Sequence, residues 1–455
     1  MRVRSEGKSE RKPLPKGFGA LWTTVAIDLV GFGIVLPLLP RYAEDFGATP
    51  TTIGLLVASF SLAQLVLAPI MGRLSDRFGR KPVLIVSLLG TAVGSLVTGL
   101  AGSVALLFVG RIVDGASGAS VSVAQAAAAD LADPKDRPRL MGLLGAAFGV
   151  GFVAGPVIGG LGALVDPRLP FFLAAAIAFT NAIVAIVRLP ETNPSIVAAA
   201  AGPPASVATD DAVRVAGLPS LDGPGLAEPA HLDLAEHAAT STAAGGTANG
   251  GTADGPSSSA ITEIRRLIVT AFVGVVAFAG FEATFSLLLE RRFGVSAAAT
   301  AGVFAAVGVM LVAVQGGLVG PINARLGESR TLRSGLLLNA CGLALLAADL
   351  GWAGLAAALV LLSVGQGMLT PTLSSAVSGR AAGQRGRWLG WQQSAGAGAR
   401  VVGPILAGAL FEHVGVGAPY VLGAVLALLA MALVPTAATP TPIPITTTTG
   451  SGADR

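Results

Sequence analysis

Apolar runs of about twenty residues recur along almost the whole chain, and no other feature narrows the possible folds so much. Hydrophobic residues fill 53% of the 455 positions and charged residues only 12%, a balance that suits lipid rather than a water-soluble domain of this size. Inside hydrocarbon every backbone N–H and C=O needs an internal partner, so a single run crosses the roughly 30 Å core as an α-helix. Windows of that size fall near 18–39, 52–72, 82–102, 104–126, 140–164 and 169–188. After a polar gap six more follow, near 265–289, 298–320, 331–350, 353–376, 387–411 and 417–436.

Charge orients these spans. Basic residues cluster in the N-terminus (Arg2, Arg4, Lys8, Arg11, Lys12, Lys16) and in alternate loops: Arg73/Arg77/Arg80/Lys81, Lys135/Arg137/Arg139, Arg188 with Arg265/Arg266, Arg325/Arg330/Arg333, and Arg380/Arg385/Arg387. The intervening loops hold only Arg41, Arg168, Arg291 and Arg292. The positive-inside rule then predicts cytoplasmic N- and C-termini and a multi-pass protein of the inner cell membrane. The first apolar run has no small-residue cleavage site before Arg41, so it reads as a retained span and not a signal peptide. The net charge of +4 and pI near 9.6 come from basic residues scattered among short loops, which argues against a nucleic-acid partner. Cys341 is the single cysteine and excludes an intramolecular disulfide. The domain plan expected is a basic cytoplasmic N-terminus (1–17), a six-helix bundle (18–189), a flexible cytoplasmic linker rich in Ala, Gly, Pro, Ser and Thr (190–262), a second six-helix bundle (263–436) and a disordered tail (437–455). His231 and His237 fall in that linker and read as solvated residues rather than metal ligands.

The two halves repeat. Gly54, Gly72, Arg77, Gly79, Gly155-Pro156 and Gly159-Gly160 correspond in order to Gly302, Gly320, Arg325, Gly327, Gly403-Pro404 and Ala407-Gly408, each pair separated by 248 positions. An even number of spans per unit inserts both units the same way round. The fold class expected is therefore an all-α membrane protein, twelve transmembrane helices in two pseudo-symmetric six-helix bundles, with a substrate site at mid-membrane between them.

Three stretches carry more specific information. The turn after the second span reads Gly72-Arg73-Leu74-Ser75-Asp76-Arg77-Phe78-Gly79-Arg80-Lys81-Pro82; its glycines allow tight turns, Asp76 can accept bonds from helix N-terminal amides, and Pro82 suits a helix start. In the fifth span, Gly151, Gly155 and Gly159 are spaced four apart, which puts small residues on one face for close backbone packing; Pro156 invites a local bend and Gly160 extends the motif. The first span runs Asp28-Leu29-Val30-Gly31-Phe32-Gly33-Ile34-Val35-Leu36-Pro37-Leu38-Leu39-Pro40-Arg41-Tyr42.

These stretches resemble the major facilitator superfamily. The first is similar to its signature loop between helices two and three, the second to the motif of its antiporter branch, and the third to the first helix of tetracycline-type drug/proton antiporters. The resemblance implies alternating access by rocking of the two bundles, with Asp76 and Arg77 helping to latch the cytoplasmic side. The second copy of the loop, Gly320-Pro321-Ile322-Asn323-Ala324-Arg325-Leu326-Gly327, lacks the acidic residue.

Ionisable residues inside spans are costly, about 2.5–3.5 kcal/mol each on insertion scales, and so belong on an interior or wet face. Asp28 is the first candidate proton carrier; the alternative is an acid near enough to the interface to stay hydrated. Arg111 and Asp114 stand at i, i+3 in the fourth span and share a face. The resemblance matches Arg111 to a helix-four arginine associated with proton coupling, while Asp114 departs from the usual polar amide; a structural ion pair between them is the competing reading. Glu282 in the seventh span could bind a proton or a cationic substrate, with Phe281 and Phe285 supplying stacking surface or ordinary packing. Phe32, Gln366, Gln392, Gln393 and Arg400 complete the candidate cavity residues, Arg400 being equally a structural counter-ion. No Walker-type loop, His-Glu-x-x-His or paired-Cys spacing occurs, and His413 is the only histidine outside the linker, so no enzyme and no cofactor is expected. The functional expectation is proton-driven efflux of a small hydrophobic or cationic compound by a monomer. Uptake of a small nutrient is the alternative, and a non-transporting receptor a distant third.

Overall fold

The computed structural model describes residues 14–118, 120–132, 136–201, 257–381 and 385–435, and every regular element among them is helical. The first half contains α1 (Phe18–Glu44), α2 (Pro50–Phe78), α3 (Arg80–Gly99), α4 (Val104–Ser117), α5 (Ser120–Leu131), α6 (Arg137–Ala163), α7 (Leu169–Arg188) and a short α8 (Pro194–Ala201). The second contains α9 (Ser258–Phe293), α10 (Ala297–Ala313), a π-helical turn (Val314–Leu318), α11 (Val319–Leu326), α12 (Glu328–Ala348), α13 (Gly351–Arg380), α14 (Arg385–His413) and α15 (Ala418–Leu433). With α4 and α5 counted as one span, and α10, the π-helical turn and α11 as another, twelve spans result. Eleven are long and apolar enough to cross a membrane, and α15 is an apolar helix of 16 residues.

Local chemistry sets the helix ends. Thr49, Ser103, Ser257 and Ser296 each accept a backbone N–H at the start of α2, α4, α9 and α10, satisfying donors that a helix leaves free. The turns after α2 and α11 close on Gly79 (φ +106°) and Gly327 (φ +76°), the backbone region that favours glycine. Gly79 N–H bonds the Ser75 carbonyl and Gly327 N–H the Asn323 carbonyl, so both halves make the same turn 248 positions apart. Several helices outrun the apolar windows. α9 starts at Ser258 and α2 ends at Phe78, because a helix continues past hydrocarbon into polar surroundings where charged side chains are solvated.

Packing repeats as well. α1 packs on α6 and α7, and α3 on α4 and α7; correspondingly α9 packs on α14 and α15, and α12 on α13 and α15. The halves meet along α2 with α14 and α6 with α10, two contacts that exchange under the repeat. Outward-facing side chains such as Val66, Val86, Phe179, Val187, Val360 and Leu429 are exposed apolar surface, as a lipid-facing wall requires.

The two halves close at one end only. At the end holding the α1–α2 and α9–α10 turns, a Cβ on Gly160 of α6 would lie 3.0 Å from Ala301 Cβ of α10, and one on Gly408 of α14 would lie 3.1 Å from the Pro50 carbonyl carbon of α2. Midway, Gly308 still abuts the Phe152 backbone and Gly149 abuts Val312. Toward the end carrying the signature turn, Gly72, Gly142, Gly145, Gly316, Gly317, Gly320, Gly390 and Gly396 have nothing within 4 Å of a built Cβ among the described residues. The helices diverge toward that end.

The segment 190–262, expected as a flexible linker, is ordered at both ends: 190–193 packs on the signature turn, α8 is helical and α9 begins at Ser258. His231, His237, the N-terminal residues 1–13 and the tail 437–455 lie outside the described residues.

Candidate functional site

Asp28 lies inside α1, half-buried, and Ser120 Oγ donates to its Oδ2 at 2.6 Å. Ser120 stands at the start of α5, the element that follows α4 in the same span. α4 ends at Ser117, α5 begins at Ser120, and Gln64 of α2 donates Nε2 to the Gly118 carbonyl at 2.6 Å, satisfying an acceptor at the end of α4. One to two turns earlier Arg111 and Asp114 are 4% and 8% exposed and paired at 2.9 Å. The Arg111 guanidinium stands 4.3 Å over the Phe60 ring, and its Nε has no hydrogen-bond partner among the described residues. Phe60 meets Phe32 at 5.6 Å, and Phe32 meets Phe152 at 6.5 Å, so rings from α2, α1 and α6 adjoin the charged pair. The partner of Arg111 is Asp114 and that of Asp28 is Ser120; each acid is held separately.

The glycines of α6 bring α1 up against it beside Asp28. A Cβ on Gly151 would lie 2.6 Å from the Leu29 carbonyl oxygen, one on Gly155 2.6 Å from Gly33 Cα, and one on Gly159 3.0 Å from the Ile34 carbonyl oxygen. Gly160 faces α10 instead, and α6 stays helical through Pro156. Gly403 repeats the contact in the second half, against the Val276 carbonyl of α9 at 2.6 Å.

In the second bundle Glu282 is half-buried within electrostatic range of Arg400, which is exposed on α14. Phe281 and Phe285, offered by the sequence as cavity surface, are 4% and 0% exposed and stack in the series Phe278, Phe281, Phe285, Phe304 at 4.8–5.6 Å. They lie in the packed core of the closed end, where α9 is covered by α14 and α15. Gln366 accepts from Asn339 at 3.2 Å, Gln392 donates to Ser374 at 3.3 Å with its Oε1 unpartnered, and Gln393 is exposed. A cavity of about 430 Å³ opens between α11 and α13, lined by Val319, Gly320, Asn323, Ala324, Pro371, Thr372 and Ser375, with Asn323 Oδ1 and Thr372 Oγ1 unpartnered.

The signature turn is tied down within its own bundle. Arg80 pairs with Asp76 at 2.5 Å and with Asp130 of α5 at 2.9 Å, and its NH1 donates to Ser75 Oγ at 2.6 Å. Capping of α3 falls to Glu191 rather than to Asp76, the expected acceptor. The Glu191 carboxylate accepts the N–H groups of Arg80 at 2.8 Å, Lys81 at 3.2 Å, and Thr192 and Asn193 at 2.9 Å. Burial pushes the Glu191 carboxyl up, but those four amides outweigh it and hold it below the ordinary carboxylate range. Asn193 in turn donates to the Asp76 carbonyl at 2.8 Å. Asp76 and Arg77 are exposed, Arg77 over the Phe78 ring at 5.3 Å. The second bundle makes a matching clamp of opposite polarity. Glu328, 248 positions after Arg80, pairs at 3.0 Å with Arg380 of α13, which also binds Glu263 of α9 at 2.8 Å.

Ser120, Phe60, Gln64, Asp130 and Glu191 were not singled out from sequence. The paired positions of Glu328 and Arg80 under the repeat were a signal available for the clamps; nothing local marks Ser120 or Phe60.

Two repeated six-helix bundles, closed together at one end and parted at the other around intramembrane charges, define a secondary transporter. The chain belongs to the major facilitator superfamily, which residues 21–348 and 316–453 match. It is 30% identical over 359 residues to tetracycline resistance protein, class C, of Escherichia coli, covering 78% of this chain and 79% of that protein. Over 404 residues it is 26% identical to multidrug resistance protein 2 of Bacillus subtilis (strain 168), covering 87% and 88%. The crystal structure of the human organic anion transporter MFSD10 matches with a TM-score of 0.64 and 26% identity, over 92% of this chain and 99% of that one. The chain is thus a multi-pass membrane transporter of a small molecule and not an enzyme.

Proposed function

We propose that this chain exports a small hydrophobic or cationic compound in exchange for protons, as a monomer of the inner membrane with both termini cytoplasmic. The observation that carries the proposal is Asp28, a carboxyl within a membrane span anchored by one hydroxyl, Ser120 Oγ at 2.6 Å, at the start of α5. A hydroxyl both donates and accepts, so Asp28 keeps its anchor whether ionised or protonated. An ionised acid at membrane depth is unfavourable by about 2.5–3.5 kcal/mol. Either a cationic substrate or a proton removes that penalty, so loaded forms change sides more readily than the empty one. Substrate enters from the cytoplasmic face, where the bundles part, and a proton arriving from the far side displaces it. Arg111 pairs with Asp114 over the Phe60 ring and the arriving proton loosens that pairing as the substrate leaves, while Glu282 with Arg400 supplies the polar facing wall. When the cytoplasmic side closes, the exposed Asp76 and Arg77 meet the opposite bundle. The proton gradient supplies the energy and no cofactor takes part. The tetracycline and multidrug resistance proteins among the relatives support this substrate class.

The test is accumulation of tetracycline and a panel of hydrophobic cations in inside-out vesicles on acidifying the lumen. The expected result is gradient-driven accumulation that Asp28→Asn abolishes at normal protein level. Full coupling in Asp28→Asn overturns the role of Asp28; accumulation only in right-side-out vesicles makes the protein an importer.

A further inference from the structure

Two bundles that rock against each other must be held at whichever end is closed by contacts that cross between them. At the closed end α1 finishes with Arg41 and Glu44, and α9 with Glu290 and Arg291, so each bundle brings one base and one acid. Arg41 Nε lies 2.8 Å from Glu290 Oε2 and Arg291 NH2 lies 3.6 Å from Glu44 Oε1. Arg41 NH1 also donates to the Val295 carbonyl at 3.0 Å, in the turn after α9. Nearby, Glu412 of α14 accepts the Thr51 N–H at the start of α2 at 2.9 Å. The neighbouring Arg292 serves its own bundle, binding Asp349 at 3.7 Å and the Leu346 carbonyl.

The repeat explains this placement. An axis along the membrane normal carries α1 onto α9, so corresponding positions on the two helices face each other across it. Arg41 and Glu290 are 249 positions apart, almost the repeat offset; Glu44 and Glu290 also meet each other across the seam, so the two acids share it with two bases and the base of each bundle offsets the acid of the other. At the other end the pairs of Arg80 and Arg380 stay within one bundle each. Arg41 and Arg291, basic residues in loops otherwise poor in them, therefore have a use unrelated to orientation in the membrane.

We propose that Arg41, Glu44, Glu290 and Arg291 form a reciprocal latch whose two ion pairs set how long the transporter stays closed at this end. They are positioning residues, remote from Asp28 and Arg111. The proposal rests on the reading that the bundles rock, and its test needs neither substrate nor gradient.

The reporter is Ala301→Cys in a Cys341→Ser background; Ala301 is fully buried at the α10–α6 contact of the closed end. Labelling by a maleimide is followed on the purified full-length protein in detergent. Arg41→Glu is expected to raise the labelling rate roughly fivefold, since losing a pair of this kind shifts a two-state population by about that factor. Exchanging the charges, Arg41→Glu with Glu290→Arg, is expected to return the rate to that of the parent. If Arg41→Glu does not elute as a folded monodisperse species, Arg41→Gln carries the same test, with a rise of about twofold. An unchanged rate in the folded variants, or an exchange variant that labels as fast as Arg41→Glu, overturns the latch. Failed export with this labelling pattern intact rejects the export reading alone.

Discussion

Asp114→Asn exposes how much the buried charge pair depends on both partners. Arg111 is 4% exposed, its Nε is unpartnered, and its contacts are Asp114 at 2.9 Å and the Phe60 ring at 4.3 Å. Removing one member of a buried pair typically costs about 3–5 kcal/mol, because the other charge stays desolvated. Asparagine keeps the shape and one acceptor, which recovers about 1 kcal/mol, so a loss of roughly 2–4 kcal/mol is expected. The Phe60 contact exists already and offsets nothing. Replacing both members by apolar residues of similar size, Arg111→Met with Asp114→Leu, removes both desolvation costs and restores stability to within about 1 kcal/mol, while transport stays lost. Thermal unfolding of the purified proteins in detergent gives the ordering: wild type and double variant together, Asp114→Asn well below. Should Asp114→Asn melt with the wild type, the guanidinium does not depend on Asp114 and the energetics argued from burial are wrong. Should the double variant transport normally, the pair is structural only.

Gly155→Ala puts a methyl 2.6 Å from Gly33 Cα and is expected to cost about 1–3 kcal/mol by overpacking, whereas Gly19→Ala in α1, with nothing among the described residues within 4 Å, stays within about 0.5 kcal/mol of wild type; equal melting of the two variants would count against the α1–α6 contact. Glu191 titrates below its ordinary value of about 4.3 in the folded protein, so its stabilising effect is complete above that pH and is lost as pH falls through the lower folded value. Glu191→Gln is accordingly expected to lower stability at neutral pH and to flatten the decline on acidification below about pH 5, read from melting temperature against pH; an acid limb as steep as wild type refutes the clamp.

Much of the architecture was legible in the residues. The apolar windows, the series of glycines on one offset and the similarity of 72–82 to a known loop led to the superfamily, and the turns at Gly79 and Gly327 show the repeat atom for atom in a shared hydrogen bond. The placement of the candidate site's side chains was legible only in part. Asp28, Arg111 and Asp114 stand out because charge in an apolar run is conspicuous, but Ser120 and Phe60 are ordinary residues that matter through what they touch. Phe281 and Phe285 show a pattern that carries two readings. Spacing of four allowed either a cavity wall or packing, and the structure puts them in the core.

The sequence by itself determined the number of spans, the repeat and the charge asymmetry, because hydrocarbon thickness and the need for internal backbone bonds act on each segment separately. Only the tertiary structure decided which end is closed, that Arg41 meets Glu290, and that Glu191 caps α3. The Glu191–Arg80, Arg41–Glu290 and Glu412–Thr51 contacts join groups 111, 249 and 361 positions apart, and their partners are selected by the geometry of packed helices. No local pattern carries that information.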